Sequence, residues 1–216
     1  MIDSPEPEPD ALESRLRSGD TGALAELLSR HRERLWRIVH FRLARQLQGR
    51  VDPDDVLQEA YLAASQRLRH YREDGSASPF VWLRMIVQQT LVDLHRRHLG
   101  AQARDAGREI AIHHGPYAQA TSASVAIQLA GHLTSPSQAT ARAELVDIVE
   151  RAIEGMDPMD REVLALRHFE ELSNSEVAEV LGIQQKAASI RYIRAVRRLK
   201  AILAEVPGLC DGKDDG

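Results

Sequence analysis

The chain has 216 residues, with 28 Lys and Arg against 32 Asp and Glu for a formal net charge of -4, and it is 43% hydrophobic but only 4% aromatic. That length allows one large or two small domains with packed cores, and abundant Ala, Leu, Arg and Glu without alternating strand patterns points to an all-α fold. One cysteine, Cys210, cannot build a disulfide framework, and no signal peptide or bilayer-length apolar run is legible, so a cytoplasmic protein without membrane insertion is expected.

In chain order, residues 1–20 begin acidic and proline-spaced (Asp3, Pro5, Glu6, Pro7, Glu8, Pro9, Asp10, Glu13), as in a partly disordered terminus. Residues 21–99 are dense in helical pattern. Leu24, Leu28, Leu35, Ile38 and Val39 mark an amphipathic helix from about Thr21 to Gln48, and Gly49 allows a break. Asp52, Pro53, Asp54 and Asp55 then supply a cap, a first-turn proline and first-turn acids for a helix running towards His70. Ser78 and Pro79 start a third helix, reaching about His98, with Phe80, Leu83, Val87, Leu91 and Leu94 on one face. Trp82, Gln89, Asp93 and Arg96 fall on the other side, a combination richer than a core needs.

From Gly100 to Thr140 the chain turns to Ala, Gly, Ser, Thr and His with Pro116 and Pro136, the composition of a flexible linker with at most weak helical patches. Residues 141–205 are helical again, and 206–216 form a polar tail. Within 141–205, Ser173-Asn174-Ser175-Glu176 is a capping box, Val177, Ala178 and Leu181 give the following helix an apolar stripe, and Gly182 ends it. Ala188, Tyr192, Ala195 and Leu199 then recur as the seat of a second helix, which carries Lys186, Arg191, Arg194, Arg197, Arg198 and Lys200 and no acid. Arg191, Arg194 and Arg198 fall on a flank of that seat, and alanine at Arg191 and Arg194 is expected to leave folding almost unchanged; Lys186, Ile190, Ile193 and Arg197 point away. A helix-turn-helix with positive charge on its second helix, in an acidic chain, predicts a major-groove DNA reader.

DPDDVLQEAYLAASQRL at Asp52–Leu68, followed by PFVWLRMIVQQTLVDLHRR at Pro79–Arg97, resembles the second domain of sigma-70-class RNA polymerase sigma factors, and MDPMDREVLALRHFEELSNSEVAEVLGI with the basic helix resembles their fourth domain. Two such domains on a linker, without the domain between, is similar to the extracytoplasmic-function (ECF) group. The resemblance implies a factor that binds core RNA polymerase, recognises promoter DNA, opens it and starts transcription, with an anti-sigma factor as an optional further partner. It implies that Asp55, Gln58, Glu59 and Tyr61 form the polymerase-binding patch, where acidic and amide groups suit basic partner residues. It assigns minus-ten reading and melting to the third helix and the loop Tyr71–Ala77, with Tyr71 and Trp82 placed to stack bases, Arg84, Arg96 and Arg97 to hold phosphates, and Gln89 where the family commonly has asparagine. It assigns the minus-thirty-five element to Lys186, Ser189, Ile190, Arg191, Arg194, Arg197 and Arg198, with departures from the family pattern at Lys186, Ser189 and Ile190 that obscure the target sequence.

The chain offers no nucleophile with a base and no glycine-rich phosphate loop, and His95 and His98 lack the further ligands of a zinc site, so neither an enzyme nor a metal or other cofactor is expected. The rival readings are a stand-alone helix-turn-helix regulator and a helical adaptor that binds no DNA. The net negative charge fits a protein that shares its DNA contacts with a larger enzyme better than one that grips DNA alone.

Overall fold

The computed structural model describes residues 9–43, 47–74, 78–103, 122, 124–128 and 139–204. Among these the fold is all-α. Its contacts form two compact units, Met1–His40 with Gly49–Leu94, and Phe41–Gln48 with His95–Gly216.

The first unit begins with α1 (Pro9–Ser18), inside the stretch expected to be partly disordered; residues 1–8 lie outside the described residues. Leu12 and Leu16, one helical turn apart, are both buried, so burial of one apolar edge outweighs the acidic composition around it. Next comes α2 (Thr21–Arg42), which stops at Arg42 rather than at the expected Gln48. The Gln48 amide donates instead to the Leu43 carbonyl at 3.2 Å, occupying an acceptor that a continuing helix would have used. Gly49 follows with φ +79°, a left-handed position that glycine takes without strain.

Asp52 caps α3 (Pro53–Asp74) through its Oδ1, which accepts from the Asp54 amide at 2.9 Å. Helix α4 (Pro79–Ala103) buries Phe80, Leu83, Val87, Leu91 and Leu94, the face read from the sequence. These side chains, with Leu24, Leu35, Ile38 and Val39 of α2 and Val56, Ala60, Ala64 and Leu68 of α3, supply the buried apolar groups of the unit.

The second unit contains α5 (Ala139–Glu154), α6 (Pro158–Leu164), a π turn at Ala165–Phe169, α7 (Asn174–Leu181) and α8 (Gln185–Ala204). Its larger core cluster joins Val149 and Ile153 of α5, Leu164 of α6 and Ala195 and Leu199 of α8. Part of the expected linker belongs to it. Residues 124–128 are helical, Val125 and Ala126 are fully buried in the same cluster, and the buried Ser122 hydroxyl accepts from Arg161 at 3.1 Å. Composition could not reveal this, because short Ala, Ser and Val runs suit a tether and a buried turn equally well. The rest of the linker between Ala103 and Ala139, and the tail with Cys210, lie outside the described residues.

Arg42 is fully buried in this unit. Its Nε donates to Glu170 at 2.5 Å, and its two terminal nitrogens donate to the two Glu162 oxygens at 2.9 and 2.7 Å. Beyond the π turn, Glu171 adopts φ +56° and Leu172 is fully buried, with its amide donating to the Leu166 carbonyl at 2.9 Å.

His95, buried on α4, has its pKa held below the ordinary imidazole value by desolvation. The unfolded chain therefore binds a proton more readily than the folded one, and His95 withdraws stability as pH falls below about 6.5. Urea titrations at pH 7.5 and 5.5 should show a smaller acid-side loss for His95→Leu than for the parent; equal losses would remove His95 as the cause.

Candidate nucleic-acid interface

The helix-turn-helix is built as its sequence signals require. The Ser173 hydroxyl accepts from the Glu176 amide at 3.2 Å while the Glu176 carboxylate accepts from the Ser173 amide at 2.6 Å, closing the capping box on α7. At the other end Gly182 is left-handed, its amide donates to the Glu179 carbonyl and that of Ile183 to Ala178, the paired bonds of a Schellman motif. Asn174 Nδ2 also donates to the Gln185 carbonyl at 2.9 Å, fastening the start of α7 to the start of α8. The angle between the two helices is thus fixed at both ends of the turn.

Helix α8 sits on its predicted face. Ala188, Ala195 and Leu199 are buried, and the half-buried Tyr192 packs against both cores of the unit. Lys186, Ile190, Ile193, Arg194, Arg197 and Arg198 are exposed, and Ser189 is half-buried. Ile190, Ile193, Arg194 and Arg197 follow an i, i+3, i+4, i+7 pattern and so form one exposed stripe. Ile190 and Ile193 are both more than half exposed, so they lie outside the core that seats the helix.

Arg191 and Arg194 are not the free flank that the sequence suggested. Asp160, at the start of α6 and 5% exposed, accepts from Arg191 Nη1 at 2.9 Å and from Arg194 Nε and Nη2 at 2.5 and 2.6 Å. Burial pushes the Asp160 carboxyl up, but the hydrogen bonds from Arg194 and Arg191 more than offset that and hold it below the usual carboxylate value. Replacing both arginines by alanine therefore strands a buried acceptor, at a cost of about 1–3 kcal/mol, and folding will not be indifferent to it. The sequence holds no signal of this contact, since helical spacing relates residues along one helix and not across two.

On α3, Asp55, Gln58 and Glu59 are exposed and Tyr61 is half-buried. Neighbouring Asp54 pairs with Arg32 of α2 at 2.6 Å. Sequence reading missed Leu62, which is 56% exposed and lies one or two turns beyond Asp55, Gln58 and Glu59, so an apolar side chain extends the acidic and amide face.

On α4 the expectations divide. Gln89, Arg96 and Arg97 are exposed, and Gln89 donates to Asp93 at 3.1 Å. Trp82 is half-buried, packed against Tyr71 with ring centroids 4.7 Å apart. Tyr71 itself is 3% exposed and cannot receive a flipped base; its ring fills space between α3 and α4 instead. Arg84 is 1% exposed and bonded to Gln88 at 2.7 Å, so its guanidinium serves the interior of the unit and not a phosphate. The family resemblance gave Arg84 a phosphate, but Gln88, one turn further along α4, holds its guanidinium instead. Of the loop Tyr71–Ala77, residues 75–77 lie outside the described residues. Among the described residues no helix is long and apolar enough to cross a membrane.

The chain is similar to several known proteins. The chain is 29% identical over 192 residues to the ECF RNA polymerase sigma factor SigD of Mycobacterium tuberculosis (strain ATCC 25618 / H37Rv), covering 88% of this chain and 82% of that one. It is 28% identical over 200 residues to the RNA polymerase sigma factor NccH of Alcaligenes xylosoxydans xylosoxydans, covering 90% and 94%. The solved structure of CnrH in complex with the cytosolic domain of CnrY shares the fold, with a TM-score of 0.52 and 24% identity over 92% of this chain and 99% of that one. The family model described as ECF sigma factor matches residues 11–201, and the chain belongs to that family, as a sigma factor directing transcription initiation.

Proposed function

We propose that the two faces divide the work of a sigma factor: the α3 face around Asp55, Gln58, Glu59 and Leu62 docks on core RNA polymerase, and the exposed stripe of α8 reads the upstream promoter element. Supporting the second role is the stripe itself, in which Arg194 and Arg197 supply charge and hydrogen-bond donors while Ile190 and Ile193 offer apolar contact of the kind a thymine methyl accepts. Trp82, Gln89, Arg96 and Arg97 of α4 are the candidates for minus-ten DNA, without Tyr71 and Arg84. The factor works in the cytoplasm, performs no catalysis of its own and needs no cofactor. CnrH is seen with the cytosolic domain of CnrY, and by analogy a comparable protein segment would restrain this chain.

The test is transcription by holoenzyme reconstituted from core polymerase and this chain, on promoters selected from a random library. Because Asp160 would otherwise be stranded, Arg191→Ala and Arg194→Ala are combined with Asp160→Ala. Output from promoters that need the upstream element should fall by about tenfold or more, the equivalent of one lost bidentate base contact. Unchanged output at physiological salt would mean that α8 is not the reader.

A further inference from the structure

Asp160 does more than pair with two arginines: it selects which edge of one of them is used. A guanidinium presents five N–H donors in a planar fork. Arg194 gives its Nε and Nη2 side to Asp160, at 2.5 and 2.6 Å, one to each carboxylate oxygen. The remaining edge, between Nη1 and Nη2, is directed away from the carboxylate, and its parallel N–H groups suit guanine O6 and N7 or two phosphate oxygens. The Arg194 side chain is 57% exposed and belongs to the stripe with Ile190, Ile193 and Arg197. Arg191 is only 33% exposed, and its Nη1 binds the same Asp160 oxygen as Arg194 Nη2.

We infer that Asp160 is a positioning residue for promoter recognition: it orients the Arg194 guanidinium towards DNA before binding, with Arg191 as the second tie that steadies the carboxylate. This rests on α8 being the reader. A long arginine loses rotamer freedom when it binds, and one already held in place loses less on reaching its base. Specificity follows from the same restraint, since an arginine free to swing can satisfy itself on a neighbouring phosphate at any sequence. Asp160 lies on α6, outside the helix-turn-helix itself, so a residue of another helix would tune what the reader accepts.

The experiment uses holoenzyme carrying Asp160→Asn, Arg194→Lys or Arg194→Ala, assayed on promoters in which each upstream base pair is changed in turn. Asparagine keeps the size of Asp160 but cannot receive both donors of the Arg194 side edge. The expected result is that Asp160→Asn relaxes preference at the same base pair as Arg194→Ala, discrimination there falling by about tenfold. Output on already mismatched promoters should be little changed. Arg194→Lys keeps the charge but has no two-edged fork, and should relax the same base pair even if Asp160→Asn proves unstable. Three outcomes overturn the inference. Uniform loss on every promoter with preference intact would give Asp160 a structural role only; uniformly tighter binding with a steeper salt dependence would make it a brake on DNA affinity; and retained preference in Arg194→Lys would mean that charge alone suffices. If Arg194→Ala itself changes no preference at any base pair, it is the reading of α8 that fails.

Discussion

A chain carrying Asp55→Lys and Glu59→Lys will fold as the parent does and no longer co-purify with core RNA polymerase. Both residues are exposed on α3, where substitutions ordinarily shift stability by about 0.5 kcal/mol or less. Asp55 lies in the first turn of α3, so reversing it also loses a favourable interaction with the helix dipole, about 0.3–1 kcal/mol. Asp54, fastened to Arg32, still serves that end. At a docked interface each carboxylate that faces a basic partner in a desolvated contact is worth about 2–5 kcal/mol, and a lysine adds repulsion. Two such losses weaken association by about a thousandfold or more. The check is affinity capture of core polymerase by the tagged variant, with its helical circular dichroism compared to the parent; native helicity with parental recovery of core would remove the α3 face as the dock.

The largest stability effect should come from Arg42. Glu170 is fully buried and accepts the Arg42 Nε, so Arg42→Met leaves a carboxylate in the interior without that partner. Breaking a buried pair from one side costs about 3–5 kcal/mol, because the remaining carboxylate stays desolvated after losing its opposite charge. Removing all three charges is different: Arg42→Met with Glu170→Leu and Glu162→Gln should recover most of the loss, since apolar packing often replaces a buried ion pair at little cost. Urea denaturation of the three chains would measure this. A single substitution that shifts stability by less than about 1 kcal/mol would show that water reaches Glu170.

How far the fold was legible depended on whether a signal was local. The capping box at Ser173 and Glu176, the glycine stop at Gly182, the Asp52-Pro53 start of α3 and the apolar face of α4 are written within a few residues of where they act, and each appears in the structure. What escaped was tertiary. Leu12 and Leu16 look unremarkable among acids until α1 folds against its neighbour, and Val125 and Ala126 look like linker until a core closes over them. At the candidate site the same division holds. Exposure of Asp55, Gln58, Glu59, Arg197 and Arg198 agrees with their helical positions, whereas the burial of Tyr71 and Arg84 and the capture of Arg191 and Arg194 by Asp160 depend on side chains distant in sequence or on how a long side chain turns.

Glu171 has a consequence for how the helix-turn-helix is aimed. A left-handed backbone at a residue with a β-carbon costs about 1–2 kcal/mol, and glycine would take the same shape almost freely. The strain is sustained beside Leu172, which is fully buried and bonded through its amide to Leu166. The direction in which α7 leaves the π turn is therefore dictated by a socket for one leucine and opposed by the local preference of the chain. Such a joint acts as a loaded pivot: a change that loosens the Leu172 socket would let the backbone relax at Glu171 and re-aim the helix-turn-helix.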